Sequence, residues 1–287
     1  MTTDQRQREQ GRADPDRPLS FPIAAGSRRA LAVLLLLLPT TAMADTPQLV
    51  EPGKLTWGSS PTFTPFEFMR DGKPFGFDVD LMDVLAKRIN LSSNMMGMEF
   101  KGVIPALLGH RIDVGVSGLY VTPERLQVAD FIAYVIVGNQ IVVQKGNPKH
   151  ITGREGLCGF KVAVPVNTAF EASTKQLSAE CKDKGKAEID ILSLPGSNNV
   201  ALALAQGRVD AALNSTATIA AMMGESPESY DLAGDAFDAN TKVGIALRKD
   251  SGALKAQLEE AMQAIVKDGT YAALLQKWNL PEKASAF

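Results

Sequence analysis

The segment Ser117-Gly118-Leu119-Tyr120-Val121-Thr122-Pro123-Glu124-Arg125 puts one arginine at the start of a helix, directly after a strand end. Asp113 to Val116 reads as a buried strand, and Thr122-Pro123-Glu124 as an N-cap, a first-turn proline and a first-turn acid. A helix N-terminus offers unpaired backbone N–H groups and partial positive charge, and a guanidinium holds a carboxylate through two parallel hydrogen bonds. Together they predict a site for a small anion. From this segment alone, the plainer alternative is a surface arginine beside a well-capped helix.

Little else is equipped for chemistry. The two histidines, His110 in a turn and His150 in a linker, have no partner at metal-ligand spacing, so no metal is expected. No glycine-rich phosphate loop of the P-loop or dinucleotide type occurs, and no cofactor is expected. Around Ser117, Gly115-Val116-Ser117-Gly118-Leu119 lacks the final glycine of a nucleophile elbow. Carboxylates are plentiful, but the sequence places no pair of them in one site. No catalytic residue is assigned: the residues describe a binder rather than an enzyme.

The elements that must position Arg125 alternate. Lys54–Ser59 and Gly76-Phe77 read as strands, and Asp78–Ile89 as a helix with Leu81, Met82, Leu85 and Ile89 on one face. Ile104–Leu108 is a short helix stopped by Gly109, and Gln140–Gln144 another strand. A second set follows: strand Lys161–Val164, helix Ala169–Cys181, strand Asp190–Leu194, helix Asn198–Gln206, strand Val209–Leu213. Val243–Leu247 returns from that set, and helices Ala253–Lys267 and Thr270–Trp278 close the chain. Strand–helix alternation predicts parallel α/β sheets.

An internal echo divides the chain in two. Leu108-Gly109-His110-Arg111-Ile112-Asp113-Val114-Gly115-Val116 parallels Ala205-Gln206-Gly207-Arg208-Val209-Asp210-Ala211-Ala212-Leu213. Each is a helix end, a glycine stop, a basic residue, a β-branched residue and an aspartate entering a strand. In open α/β sheets ligands bind outside the carboxyl ends of strands. Two similar lobes therefore predict a cleft between them.

Residues 1–44 read as a targeting segment. A polar, arginine-bearing stretch ends at Ser27-Arg28-Arg29; nine apolar residues, Ala30–Leu38, then precede Pro39 and the small-x-small signal Ala42-Met43-Ala44. Nine residues are too few to cross a bilayer, which takes about 20. The paired arginines allow a twin-arginine route, but Ala30-Leu31-Ala32 after them is only a partial match and favours the general secretory route; cleavage before Asp45 would leave a protein free in the periplasm. Of 30 basic and 32 acidic residues, the segment carries six and four, leaving 24 and 28 and a net charge of −4. That balance gives no basic face for nucleic acid. Cys158 and Cys181 are the only cysteines, and in an oxidising compartment their default state is a disulfide.

These motifs together resemble family 3 of the bacterial extracellular solute-binding proteins, the receptors of polar amino-acid ABC transporters, across essentially all of 52–280. The specific parts are Pro65-Phe66-Glu67-Phe68 with Gly76-Phe77-Asp78-Val79-Asp80-Leu81, then Phe100-Lys101-Gly102-Val103-Ile104-Pro105-Ala106-Leu107, and Ser117 to Arg125 with Asp130-Phe131. Gly207-Arg208-Val209-Asp210-Ala211 and Gly269-Thr270-Tyr271 through Lys277-Trp278 match in the remainder. The resemblance implies a type II periplasmic-binding-protein fold: two α/β lobes, two hinge strands and an inter-lobe cleft. Lobe 1 would comprise 45–135 and 244–287, lobe 2 136–243, with hinges near Tyr134–Asn139 and Ala239–Val243.

By the same resemblance, Arg125 grips a ligand α-carboxylate, and Ser117 and Gly118 meet its amine and carboxylate. Phe63 and Phe100 wall the ligand side chain, and Ser60 stands where some members place an acid. Thr168 and Ala169 supply backbone donors from a lobe-2 helix. Three departures stand out. Tyr120 replaces a small hydroxyl residue, Asn167-Thr168-Ala169-Phe170 replaces a Gly-Thr turn, and Ser215, after Asn214, replaces the aspartate that takes the ligand ammonium. A buried ammonium without an acid costs several kcal/mol. Either another acid serves (Glu171 and Asp238 are candidates), or the ligand lacks a primary ammonium. Phe63, Phe100, Tyr120 and Phe170 could then hold a flat ring or a methylated cation.

The implied function is capture of a small carboxylate solute by hinge closure, with delivery to an inner-membrane ABC permease and its ATPase. The receptor would be a monomer. A cyclohexadienyl dehydratase-like lyase or a ligand-sensing subunit for a membrane signalling protein are the alternatives on the same fold.

Overall fold

A computed structural model describes residues 47–287; the expected signal segment 1–44 lies outside the described residues. Strand β1 (Lys54–Ser59) leads into a flap of β2 (Thr62–Phe63), β3 (Glu67–Arg70) and β4 (Lys73–Phe75), then helix α1 (Phe77–Arg88). Next come β5 (Ser92–Gly97), α2 (Val103–Leu108), β6 (Val114–Gly115) and α3 (Pro123–Val128). The long β7 (Asp130–Gln144) opens a second series: β8 (Lys161–Pro165), α4 (Ala169–Asp183), β9 (Asp190–Leu194), α5 (Gly196–Ala205), β10 (Ala211–Ser215) and α6 (Thr216–Glu225). Strands β11 (Tyr230–Leu232) and β12 (Phe237–Leu247) return from it, and α7 (Gly252–Lys267) and α8 (Thr270–Lys277) follow.

The main sheet runs β5-β1-β6-β12-β7-β10-β8-β9, with β11 against β7. β1 lies parallel to β5 and β6, and β8 parallel to β9 and β10. Between these parallel groups, β7 and β12 pair antiparallel. The N-terminal part of β7, Asp130 to Val137, pairs with β12, and from Asn139 onward it pairs with β10. Two long strands thus join two α/β lobes, the two-lobed type II arrangement. The register of β12 against β7 shifts between Phe237 and Thr241 and again between Val243 and Gly244.

Local chemistry explains most elements. On α1, Leu81, Met82 and Leu85 are fully buried beneath the sheet, and Ile89 packs against the same core. Gly76-Phe77 is not a strand: Gly76 precedes α1 and Phe77 is its first residue. The reason is the flap, whose Pro65 and Phe66 carbonyls accept the amides of Phe77 and Asp78 at 2.9 and 2.8 Å.

The echoed segments fold alike. Asp113 donates its amide to the Thr56 carbonyl (2.7 Å) and accepts the Thr56 amide on Oδ2 (2.8 Å). Asp210 makes the same two bonds to Lys161, at 2.8 and 2.9 Å. Each aspartate therefore clamps its strand to the neighbouring parallel strand, one in each lobe. Arg111 and Arg208 donate their amides five residues back, to Ala106 and Ala203, closing the preceding helix. Gly109 caps α2 as expected, and the left-handed residue is Gly207 (φ 67°) in the second copy but His110 (φ 54°), one place after Gly109, in the first.

Cys158 and Cys181 form a disulfide that ties the segment before β8 to α4. Its 23-residue separation corresponds to about 3 kcal/mol of loop-closure stabilisation. Cys158→Ser with Cys181→Ser should lower the melting temperature by on the order of 10 °C. An unchanged melting curve would assign that stability to packing alone.

Candidate functional site

Residues from both lobes line a cavity of about 40 Å³. It lies beyond the carboxyl ends of β1, β6 and β8, where a two-lobed parallel fold leaves strand ends open. One side carries Ser60, Thr62, Phe63, Glu67, Phe100, Ser117, Gly118, Tyr120 and Arg125; the other carries Pro165, Val166, Thr168, Ala169, Phe170, Gly196 and Ser197.

Arg125 is placed by its helix cap. Thr122 Oγ1 accepts the Arg125 amide at 3.3 Å, and Pro123 begins the helix. The guanidinium donates from Nη1 to the Tyr120 carbonyl (2.8 Å) and lies over the Phe100 ring at 5.5 Å. Burial lowers its pKa, but no acid within salt-bridge distance neutralises it among the described residues. Its remaining N–H groups are free for an anion.

Facing it, α4 and α5 both begin at the cavity. Thr168 caps α4, accepting the Glu171 amide at 3.4 Å and donating to the Pro165 carbonyl at 2.6 Å. α5 starts at Gly196 after Pro195, with no side-chain cap. The first amides of each helix have no intrahelical acceptor. One guanidinium and two helix N-termini thus offer positive charge and free N–H donors to an anion in the cavity.

The aromatic walls come from both lobes. Phe63 stacks on Phe66 at 5.2 Å and covers Gly118, where a Cβ would sit 2.4 Å from Phe63 Cε1. Tyr120 meets Phe170 edge-on at 5.3 Å across the cleft. The Tyr120 hydroxyl donates to Asn139 Oδ1 (3.2 Å), and Asn139 Nδ2 donates to Asp238 Oδ2 (3.0 Å).

Comparison with known proteins fixes the family. Residues 55–281 match the model described as bacterial extracellular solute-binding proteins, family 3. The chain belongs to that family. It is 31% identical over 237 residues to an arginine-binding protein of Corynebacterium glutamicum, covering 82% of this chain and 77% of that one. It is 30% identical over 230 residues to an L-cystine-binding protein of Escherichia coli (79% and 83% covered). An ancestral arginine-binding protein solved with arginine superposes with a TM-score of 0.73 at 34% identity, covering 79% of this chain and 98% of that one.

In this solute-binding protein, ten of the twelve residues the sequence nominates line one cavity: Arg125, Ser117, Gly118, Tyr120, Phe63, Phe100, Thr168, Ala169, Phe170 and Ser60. Ser215 and Asn214 do not. Ser215 is fully buried as the N-cap of α6, accepting the Thr218 amide at 3.1 Å and donating to Thr218 Oγ1 at 2.9 Å. Its β7 partner is Asn139, the residue held by the Tyr120 hydroxyl, so Tyr120 walls the cavity on that side.

Neither substitute acid reaches the cavity. Glu171 accepts from the Asn167 amide, Lys175 and Ser193, and burial is outweighed there, so its pKa is lowered. Asp238 is exposed. The carboxyl that does line the cavity is Glu67, which sequence reasoning passed over inside the motif Pro65-Phe66-Glu67-Phe68. Thr62, Pro165, Val166, Gly196 and Ser197 were also missed. The strand-end rule that found Thr168 applies equally at Pro195-Gly196, after β9.

Proposed function

We propose that this protein is a periplasmic receptor that closes around an amino acid or a related carboxylate-bearing solute and presents it to an ABC importer. The observation that carries the reading is Arg125: a largely buried guanidinium without an acid partner, facing two helix N-termini from the opposite lobe. Arg125 holds the ligand carboxylate, and the α4 amides at Ala169 and Phe170 complete its binding. Ser117, Gly118 and Ser60 meet the polar groups beside it. Phe63, Phe100, Tyr120 and Phe170 enclose the side chain. The names of the arginine- and cystine-binding relatives support an amino-acid ligand.

The lobes are 45–135 with 244–287, and 136–243, and closure bends β7 and β12 between them. The receptor acts as a monomer after removal of residues 1–44, and the permease it serves is driven by an ATPase. The test is native mass spectrometry of the solute that co-purifies, followed by a thermal-shift screen of L-amino acids, betaines and aromatic acids. A bound carboxylate that raises the melting temperature is expected. A screen without a single carboxylate-bearing ligand would overturn the reading.

A further inference from the structure

Behind Ser117 lies a pair of acids that the binding reading leaves unused. Glu67, on β3, and Asp78, on α1, are both fully buried. The two carboxyls adjoin, and Glu67 Oε2 and Asp78 Oδ1 are buried with no hydrogen-bond partner among the described residues unless a proton joins them. Two ionised carboxylates are acceptors only, so a proton must lie between them. We propose that Glu67 and Asp78 share one proton and one negative charge, and that this charge, acting through Ser117, receives the cationic group of the ligand. The proposal rests on the solute-binding reading and supplies the counter-charge that Ser215 does not.

The surroundings favour one charge, neither two nor none. The Tyr134 hydroxyl, from β7, donates to Asp78 Oδ2 at 2.8 Å, and the Gly118 amide also faces Asp78. Ser117 Oγ donates to Glu67 Oε1 at 2.9 Å, and Ser59, from β1, lies beside Glu67. Tyr271, from α8, bonds the Tyr134 carbonyl behind the pair. None of these groups is cationic. Burial raises both acids, Asp78 to about 6 and Glu67 further above its ordinary value. The pair therefore holds a proton where ordinary carboxyls have lost theirs, and on acidification it gains a second and becomes neutral.

Ser117 couples that charge to the cavity. Its Oγ gives its proton to Glu67 and accepts the Ser60 amide at 2.9 Å. One lone pair remains on a residue that lines the cavity, and it can accept an N–H of the ligand. A nearby carboxylate polarises the hydroxyl and strengthens it as an acceptor without any proton transfer. Glu67 and Asp78 are thus positioning residues that set specificity through Ser117.

Two measurements test this. Infrared spectroscopy of the unliganded protein should show, at pH 7.5, the C=O band of a buried protonated carboxyl that Glu67→Gln removes; absence of that band overturns the shared proton. Calorimetry would then follow the tightest-binding L-amino acid and its des-amino counterpart at pH 5.0 and 7.5. The amino acid should bind roughly tenfold or more weakly at pH 5.0, releasing about one proton, while the des-amino acid shows neither effect.

The double variant Glu67→Gln with Asp78→Asn should lose roughly 30-fold for the amino acid only. Equal binding of both compounds, or a pH-independent affinity, overturns the proposal and leaves the carboxylate receptor standing. If neither compound binds, the receptor reading fails and the proposal fails with it, whatever the infrared band shows.

Discussion

Arg125→Ala is expected to weaken solute binding by roughly 100-fold to 10,000-fold, because it removes a charge-assisted, two-pronged contact from a desolvated site. Among the described residues the guanidinium's one hydrogen bond is to the Tyr120 carbonyl, and its face rests on Phe100. A ligand carboxylate arriving without it would be stripped of water with no cation to replace that water. The unliganded protein should barely respond. An unpaired cation in a mostly buried place contributes little to stability, and its removal relieves desolvation, so the melting temperature should move by no more than about 2 °C. Arg125→Lys should recover only part of the loss, since an ammonium cannot reproduce the planar fork. Titration calorimetry decides: affinity within threefold of the parent would take Arg125 out of the binding account.

Arg125 could be read from sequence because its placement is local. A threonine cap, a first-turn proline and a strand end within nine residues fix where the arginine begins its helix. The echoed aspartates were legible for the same reason, since a helix stop and the following strand entry are consecutive in the chain. The flap was not. Its strands are two to four residues long and show no sustained alternation, and they exist because they pair with one another. β5 reads Ser-Ser-Asn-Met-Met-Gly and is held as an edge strand by β1 rather than by its own propensity. Of the 15 residues of β7, only Gln140–Gln144 stood out, because Gly138 interrupts the pattern where the strand changes partner.

The site divides along the same line. Thr168 and Gly118 follow from strand ends and turns. The role of Glu67 depends on Asp78, which the flap brings against it, and nothing in the spacing of the two acids announces a shared proton. Ser215 shows the converse. Its position at the end of β10 is as the sequence implied, yet Tyr120 reaches Asn139 from the other lobe and closes that side of the cavity. A residue can stand at the family's ligand position and still be walled off by a departure elsewhere.

Gly196→Ala should separate closure from folding. Gly196 opens α5 with φ 71°, and a Cβ there would lie 2.5 Å from Thr62 Oγ1 and 2.8 Å from Thr62 Cβ. Thr62 belongs to β2, on the opposite side of the cavity, so the collision exists only when the lobes meet. A β-branched side chain has few rotamers in which to retreat. Overpacking of this kind costs about 1–3 kcal/mol, which predicts a loss of roughly 10-fold to 100-fold in affinity. The left-handed backbone adds about 1 kcal/mol of strain to open and closed forms alike, lowering the melting temperature by roughly 2–4 °C without touching affinity. A second substitution, Thr62→Gly, should restore binding but not the melting temperature, because it clears the collision and leaves the strain. If Gly196→Ala binds as tightly as the parent, the lobes do not meet at Thr62 in the liganded form, and closure must be sought at the Tyr120–Phe170 contact instead.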